Sequence, residues 1–154
     1  MGAYSRRMAS ICESLLGAGK ELLYRSGEAL AEKEFAGSSS RDLKLALEKI
    51  SEAYSSLSLG ELRMDGAGST FIIVAIHDCA TCADAKRDGR TYCWFDAGYI
   101  AGALKTMLQK DFIAVETKCR GTGHDRCEFM ITVRPTRRGA RAPSTFRPMD
   151  KMPM

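Results

Sequence analysis

Cysteine is the residue type in this 154-residue chain whose number and spacing could do chemistry, with six copies at positions 12, 79, 82, 93, 119 and 127. The N-terminal region carries charged residues such as Arg6 and Arg7 and lacks the apolar segment and cleavage site of a signal peptide. We therefore expect a cytoplasmic protein with reduced thiols rather than an extracellular disulfide framework.

Three of these cysteines and one glutamate form a candidate zinc set. Cys119 and Cys127 flank a turn at residues 121–125, and Cys93 stands where an irregular connection enters a helix, whose N-terminus stabilises a thiolate. Glu116 shares a face with Cys119 only if their strand bends or ends between them, because successive strand residues alternate faces. Four such ligands suit a tetrahedral structural zinc ion. The alternative is a group of buried cysteines and a surface glutamate.

Cys79 and Cys82 form a CxxC pair that follows His77. Such a pair has three interpretations: two ligands of a second metal, a redox pair, or reduced thiols in a loop. We favour the last of these, because an isolated CxxC is a weak signal. His124 is interpreted as a residue of the turn rather than a metal ligand, since the four-ligand set is complete without it.

The elements that position these residues follow from the hydrophobic periodicity. Helical spacing covers residues 8–34, where Cys12 lies on the apolar stripe, then residues 43–57 after the capping residue Asp42, and residues 95–108. Alternating or β-rich patterns predict hairpins over residues 61–76 and 112–133. The resulting order predicts an α+β domain in which helices cover one face of a roughly four-stranded antiparallel sheet.

The net charge of +4 is concentrated at the C-terminus. Residues 134–154 hold six basic residues, one acidic residue and all four prolines, a net charge of +5, so residues 1–133 carry −1. We therefore divide the chain into a domain at 1–133 and a basic, flexible tail at 134–154, and we do not expect a nucleic-acid partner. No stretch approaches eighteen consecutive apolar residues, so we expect no membrane span.

Two segments resemble the C-terminal half of the 4-vinyl reductase domain family. They are YCWFDAGYIAG, from Tyr92 to Gly102, and VETKCRGTGHDRCEF, from Val115 to Phe129, while LLYRSG at residues 22–27 is similar to the family's first helix. The resemblance implies a 4-vinyl reductase domain over residues 1–133 and a fold like that of TRAPP vesicle-tethering subunits, in which helices pack on a twisted antiparallel sheet around an apolar cavity. It also implies that Cys93, Glu116, Cys119 and Cys127 are zinc ligands.

The resemblance favours a zinc-stabilised domain that binds or senses a small molecule of the hydrocarbon, aromatic, lipid or tetrapyrrole type. Candidate pocket residues are Met64, Phe71, Ile73 and His77, with ordinary core packing as their alternative role. A second hypothesis is a reductase of a tetrapyrrole vinyl group, but we find no dinucleotide-binding motif and assign no catalytic residue. A third is an interaction module; we expect a homodimer and allow for a separate protein partner.

Overall fold

A computed structural model describes residues 19–134 of the chain, and the predicted helical pattern before residue 19, the core thiol Cys12 and residues 135–154 lie outside that range. The described part contains three helices and four strands in the predicted order. They are α1 (Gly19–Glu34), α2 (Leu43–Ser56), β1 (Glu61–Ala67), β2 (Phe71–His77), α3 (Trp94–Leu108), β3 (Phe112–Lys118) and β4 (Cys127–Val133). No helix within residues 19–134 combines the length and apolar character needed to cross a membrane.

The four strands form one antiparallel sheet in the order β1-β2-β4-β3. Its inner face is buried against the helices through side chains such as Val74, Phe129 and Ile131, while Val115 and Met130 on the outer face stay exposed. This division follows from the two-residue alternation of strand side chains. The predicted α+β class, with helices on one face of a four-stranded antiparallel sheet, is confirmed.

Helix α2 shows how the local sequence sets an element in place. The side chain of Asp42 accepts a hydrogen bond of 2.8 Å from the Lys44 amide, which caps the first turn as predicted. The buried residues of α2 follow the helical period and include Leu47, Ile50 and Tyr54. Tyr54 is thereby directed toward α3, where it meets a residue described below.

Helix α3 lies at the centre of the domain and is buried on nearly all sides. Its glycines allow the backbone of α1 to approach closely: a Cβ atom at Gly98 would overlap the carbonyl oxygen of Tyr24, and one at Gly102 would lie 2.7 Å from that of Glu28. The close approach that the sequence predicted for these two glycines is therefore made within the chain. It fixes the start of α3, from which Cys93 projects.

We expect Gly98→Ala to destabilise the domain by about 1–3 kcal/mol, because the added methyl group forces α1 and α3 apart. Urea unfolding of purified protein measures the change. Gly66→Ala is the matched control, since a Cβ atom there would meet only the Cβ of Ile73 at 4.0 Å, and its expected effect is below about 0.5 kcal/mol. Equal losses in the two variants would contradict the glycine-mediated contact.

Candidate metal centre

Five buried cysteines and one buried glutamate meet at one end of the sheet. They come from four parts of the chain: Cys79 and Cys82 from the connection after β2, Cys93 from the residue before α3, Glu116 and Cys119 from the end of β3, and Cys127 from the start of β4.

Strand pairing explains why these parts converge. Ile76, near the end of β2, pairs with Cys127, so the connection that carries Cys79 and Cys82 starts beside the first residue of β4. The register of β3 shifts between Glu116 and Lys118, and β3 then ends at Lys118. This bulge and strand end remove the face conflict that alternation imposed on Glu116 and Cys119.

The turn between Cys119 and Cys127 is held by local hydrogen bonds. The Cys119 amide donates to the Thr122 hydroxyl oxygen at 2.9 Å, and the amides of Thr122 and His124 donate to the Cys119 carbonyl at 3.1 and 3.0 Å. Gly123 supplies a positive φ of 91°, which a glycine adopts without strain. His124 is exposed at the tip of this turn, so the turn supports the two thiols without adding a ligand.

The sulfur atoms lie in van der Waals or hydrogen-bond contact with one another. The Sγ–Sγ distances are 3.6 Å for Cys79 and Cys93, 3.2 Å for Cys82 and Cys127, and 3.6 Å for Cys93 and Cys127. A zinc ion with four thiolates at about 2.3 Å places its sulfurs about 3.8 Å apart, which is close to these values. The cluster can therefore hold a metal ion.

Two four-residue groups satisfy the spacing that a metal requires. In each group the ligand atoms all lie within 4.8 Å of one another. One group is Cys93, Glu116, Cys119 and Cys127, which is the set that the sequence predicted; the other joins Cys79 and Cys82 to Cys93 and Cys127. The two groups share Cys93 and Cys127.

Glu116 is prepared to act as an anion in this site. Its Oε2 accepts hydrogen bonds from the amides of Tyr92 and Cys93 at 3.0 and 2.9 Å, and these bonds also hold Cys93 in place. Its Oε1 is buried and has no hydrogen-bond partner within residues 19–134. Burial, followed by the nearby Cys119 thiol, raises the pKa of Glu116 to about 8. A bound cation would satisfy the unpaired oxygen and restore the ionised form, so this residue fits a metal.

The thiols of the cluster differ in how readily they ionise. Hydrogen bonds from Cys127, Cys82 and Cys93 lower the pKa of Cys79, and contact with Cys119 and then Cys127 lowers that of Cys82 to about 4. Contacts with the neighbouring thiols, Cys119 first, raise the pKa values of Cys93 and Cys127. Some thiolates therefore form at neutral pH, as metal binding requires, and a metal charge would favour deprotonation of the rest.

A buried carboxyl lies beside the cluster and was missed by sequence reasoning. Asp96, in the first turn of α3, is 1% exposed and accepts a hydrogen bond of 3.0 Å from the Tyr54 hydroxyl. Burial raises its pKa to about 6, although hydrogen bonds from Thr81 and Tyr54 oppose the rise. Because Thr81 lies between Cys79 and Cys82, Asp96 ties the connection after β2 to helices α2 and α3.

Tyr54→Phe should lower the free energy of unfolding by about 1–3 kcal/mol, because the buried Asp96 carboxyl loses its donor. The loss should be larger above pH 6 than below it, since the Tyr54 hydroxyl stabilises ionised Asp96, whose pKa is about 6. Urea unfolding on both sides of that pH measures it. Tyr99→Phe is the control: its hydroxyl donates to Glu34, which is exposed, so its loss should stay below about 1 kcal/mol and vary less with pH. Equal losses in both variants would argue against the buried bond.

The four predicted pocket residues lie in separate places. Phe71 lines a depression of about 590 Å³, Met64 one of about 250 Å³, and His77 one of about 370 Å³. Ile73 is half-buried and pairs with Gly66 and Met130 across the sheet. The structure therefore does not bring these four residues to one cavity.

The largest of these depressions has an apolar lining. It lies between the start of α2, the end of α3 and the sheet, and its lining includes Leu43, Ile72, Leu108, Phe112, Ile131 and Val133. These strand residues are at the start of β2, the end of β4 and the start of β3, at the other end of the sheet from the cysteines. Strands of seven residues separate the two ends by about 20 Å.

Comparison with known proteins matches residues 72–133 to the 4-vinyl reductase domain. A curated relative, the uncharacterized protein MJ0150 of Methanocaldococcus jannaschii, is 36% identical over 87 residues, which are 56% of this chain and 50% of that protein. A second, MJ0745 of the same organism, is 35% identical over 75 residues, 49% of this chain and 40% of the relative. The chain thus spans about half the length or less of these curated relatives.

Solved structures share the fold. A vinyl-4-reductase family protein from Methanocaldococcus jannaschii aligns with a TM-score of 0.59 at 19% identity, over 73% of this chain and 68% of its own. The phenol-responsive sensory domain of the transcription activator PoxR, solved with phenol, gives 0.57 at 16% identity, over 86% and 73%. A trafficking protein particle complex subunit 3 from Naegleria fowleri, covalently bound to palmitic acid, gives 0.64 at 16% identity, over 87% and 95%. The fold resemblance to a TRAPP subunit is confirmed.

Proposed function

Because residues 72–133 belong to the 4-vinyl reductase domain family, we propose that this chain is a metal-stabilised domain that binds a small apolar or aromatic molecule. The observation that carries the proposal is the buried cluster of thiols and Glu116 at one end of the sheet, opposite an apolar depression at the other. The first feature supports a structural metal, and the second supports a ligand.

For the metal we propose zinc, held by Cys93, Glu116, Cys119 and Cys127. Three thiolates and a carboxylate suit zinc in charge and softness, and four protein ligands leave no open position for catalysis. Such an ion would join the start of α3 to the β3–β4 hairpin, so its binding free energy would contribute to folding.

Cys119→Ser should lower the melting temperature by more than about 10 °C and weaken zinc binding, because it removes a ligand that links β3 to α3. Native mass spectrometry and thermal unfolding of protein purified with a reductant, with and without a chelator, measure both quantities. His124→Ala is the control from the same exposed turn and should leave zinc content and melting unchanged. A wild-type protein that carries no metal and melts identically with chelator would contradict the proposal.

For the ligand we propose the apolar depression of about 590 Å³, a volume typical of small-molecule sites. Phe71 and Ile72 line it from the sheet, Leu108 from α3 and Leu43 from α2, and Arg41 and Lys110 also contribute to it. An apolar interior beside cationic groups suits a molecule with an apolar body and one polar or anionic end. The solved relatives that carry phenol and palmitic acid define two probes of this kind.

Leu108→Trp should weaken the binding of phenol or palmitate at least about tenfold, because the indole ring fills the depression that the ligand would occupy. Isothermal titration calorimetry measures the affinity, and backbone amide NMR shifts should be largest near Leu108, Phe112 and Val133. Met64→Trp, in the separate depression of about 250 Å³, is the matched control and should leave the affinity unchanged. Failure of both probes to bind, or equal weakening by the control, would overturn this site.

The alternative role as a dimeric interaction module would use the outer face of the sheet. Phe71, Val115 and Met130 are 40%, 49% and 37% exposed there, and adjacent exposed apolar side chains are common at protein interfaces. This surface is separate from both the thiol cluster and the apolar depression, so the alternative is compatible with the proposed function.

A further inference from the structure

Two thiols of the cluster remain unassigned by the proposed zinc set. Cys79 and Cys82 are 4% and 2% exposed, so neither is a thiol of a solvated loop. Their sulfurs contact sulfurs, since Cys79 lies 3.6 Å from Cys93 and Cys82 lies 3.2 Å from Cys127. Both contacts are therefore made to members of the proposed zinc set.

We propose that the cluster is a two-metal centre in which Cys93 and Cys127 bridge the ions. One ion occupies the set of the proposed function, on which this inference rests, with Glu116 and Cys119 as its terminal ligands. The second ion has Cys79 and Cys82 as its terminal ligands, so its four ligands are all thiolates. Nothing is oxidised or reduced on binding, and each thiol that becomes a ligand releases its proton to solvent.

The geometry supports two ions that share an edge. A thiolate sulfur has more than one lone pair and can bind two metals, and the shared pair, Cys93 and Cys127, lies 3.6 Å apart. Each terminal pair completes a four-atom group with this shared edge, and the atoms of each group lie within 4.8 Å of one another. An iron–sulfur cluster would need inorganic sulfide between its irons, and sulfurs in direct contact leave no room for it.

The charges also favour a second cation. With all ligands ionised, five thiolates and one carboxylate carry six negative charges in a buried volume. One divalent ion leaves a net charge of −4 there, and two leave −2. Burial of uncompensated charge is costly, so the second ion offsets a penalty that a single ion leaves in place.

The backbone around the CxxC pair holds both thiols in position. The Ala80 amide donates to the Leu59 carbonyl at 3.0 Å, and the Ala85 amide donates to the Cys82 carbonyl at 3.0 Å. Together with the contact of Thr81 to Asp96, these bonds anchor the connection to α2 and α3. The second set of ligands is therefore built into the fold before a metal binds, which lowers the entropic cost of binding.

The test counts metal ions in reduced, full-length protein loaded with zinc. Native mass spectrometry should find two ions in the wild-type protein, one in Cys79→Ser/Cys82→Ser, and one in Glu116→Gln/Cys119→Ser. His124→Ala is the control and should keep two. Loading with an NMR-active cadmium isotope gives a readout on the wild-type protein alone: two cadmium resonances with scalar coupling between them, because the coupling passes through a shared thiolate.

The outcomes separate this inference from the proposed function. A single ion that persists in Cys79→Ser/Cys82→Ser and is lost in Glu116→Gln/Cys119→Ser overturns the second site and leaves the proposed zinc set intact. A single ion with the reverse pattern overturns both the two-metal centre and the proposed zinc set. Two cadmium signals without coupling overturn the bridging thiolates, and a protein that binds no metal overturns the proposed function and the inference together.

Discussion

Burial of six ionisable ligand groups at one end of a single sheet is the constraint on which the remaining structure depends. Five thiols and Glu116 are removed from water there, and Asp96 is buried beside them. Groups of this kind are costly to bury unless a charge or a hydrogen bond compensates them. The structure meets part of that cost with the amides of Tyr92 and Cys93, which donate to Glu116, and with the Tyr54 hydroxyl, which donates to Asp96.

The helices are arranged so that this cluster can form. Cys93 immediately precedes α3, and α3 is held in place by glycines that let it approach α1. Tyr54 of α2 reaches Asp96 in the first turn of α3. Each helix therefore acts on the cluster through α3, either by packing against it or through a hydrogen bond. The apolar depression uses the opposite end of the same helix and strands, so one scaffold supports a polar, rigid end and an apolar, open end.

Much of the fold could be predicted from the sequence because its signals are local. The shift from helical to two-residue periodicity predicted the order of elements, and Asp42 predicted the start of α2. The ligand group Cys93, Glu116, Cys119 and Cys127 was predicted in part from the turn between the last two strands and more firmly from a family resemblance. Alternation argued against Glu116 and Cys119 on one face, and the bulge that resolves the conflict has no clear signature in the residues themselves.

The sequence by itself determined the elements, the class of fold and the presence of soft metal ligands, because residue type and spacing within a segment decide these properties. Only the tertiary structure decided that Cys79 and Cys82 join the other thiols. That result depends on β2 pairing with β4, a contact between segments about fifty residues apart that local periodicity does not encode. The same reason separates Met64, Phe71, Ile73 and His77 among different surfaces: their neighbours are set by packing between elements, and not by the pattern within one.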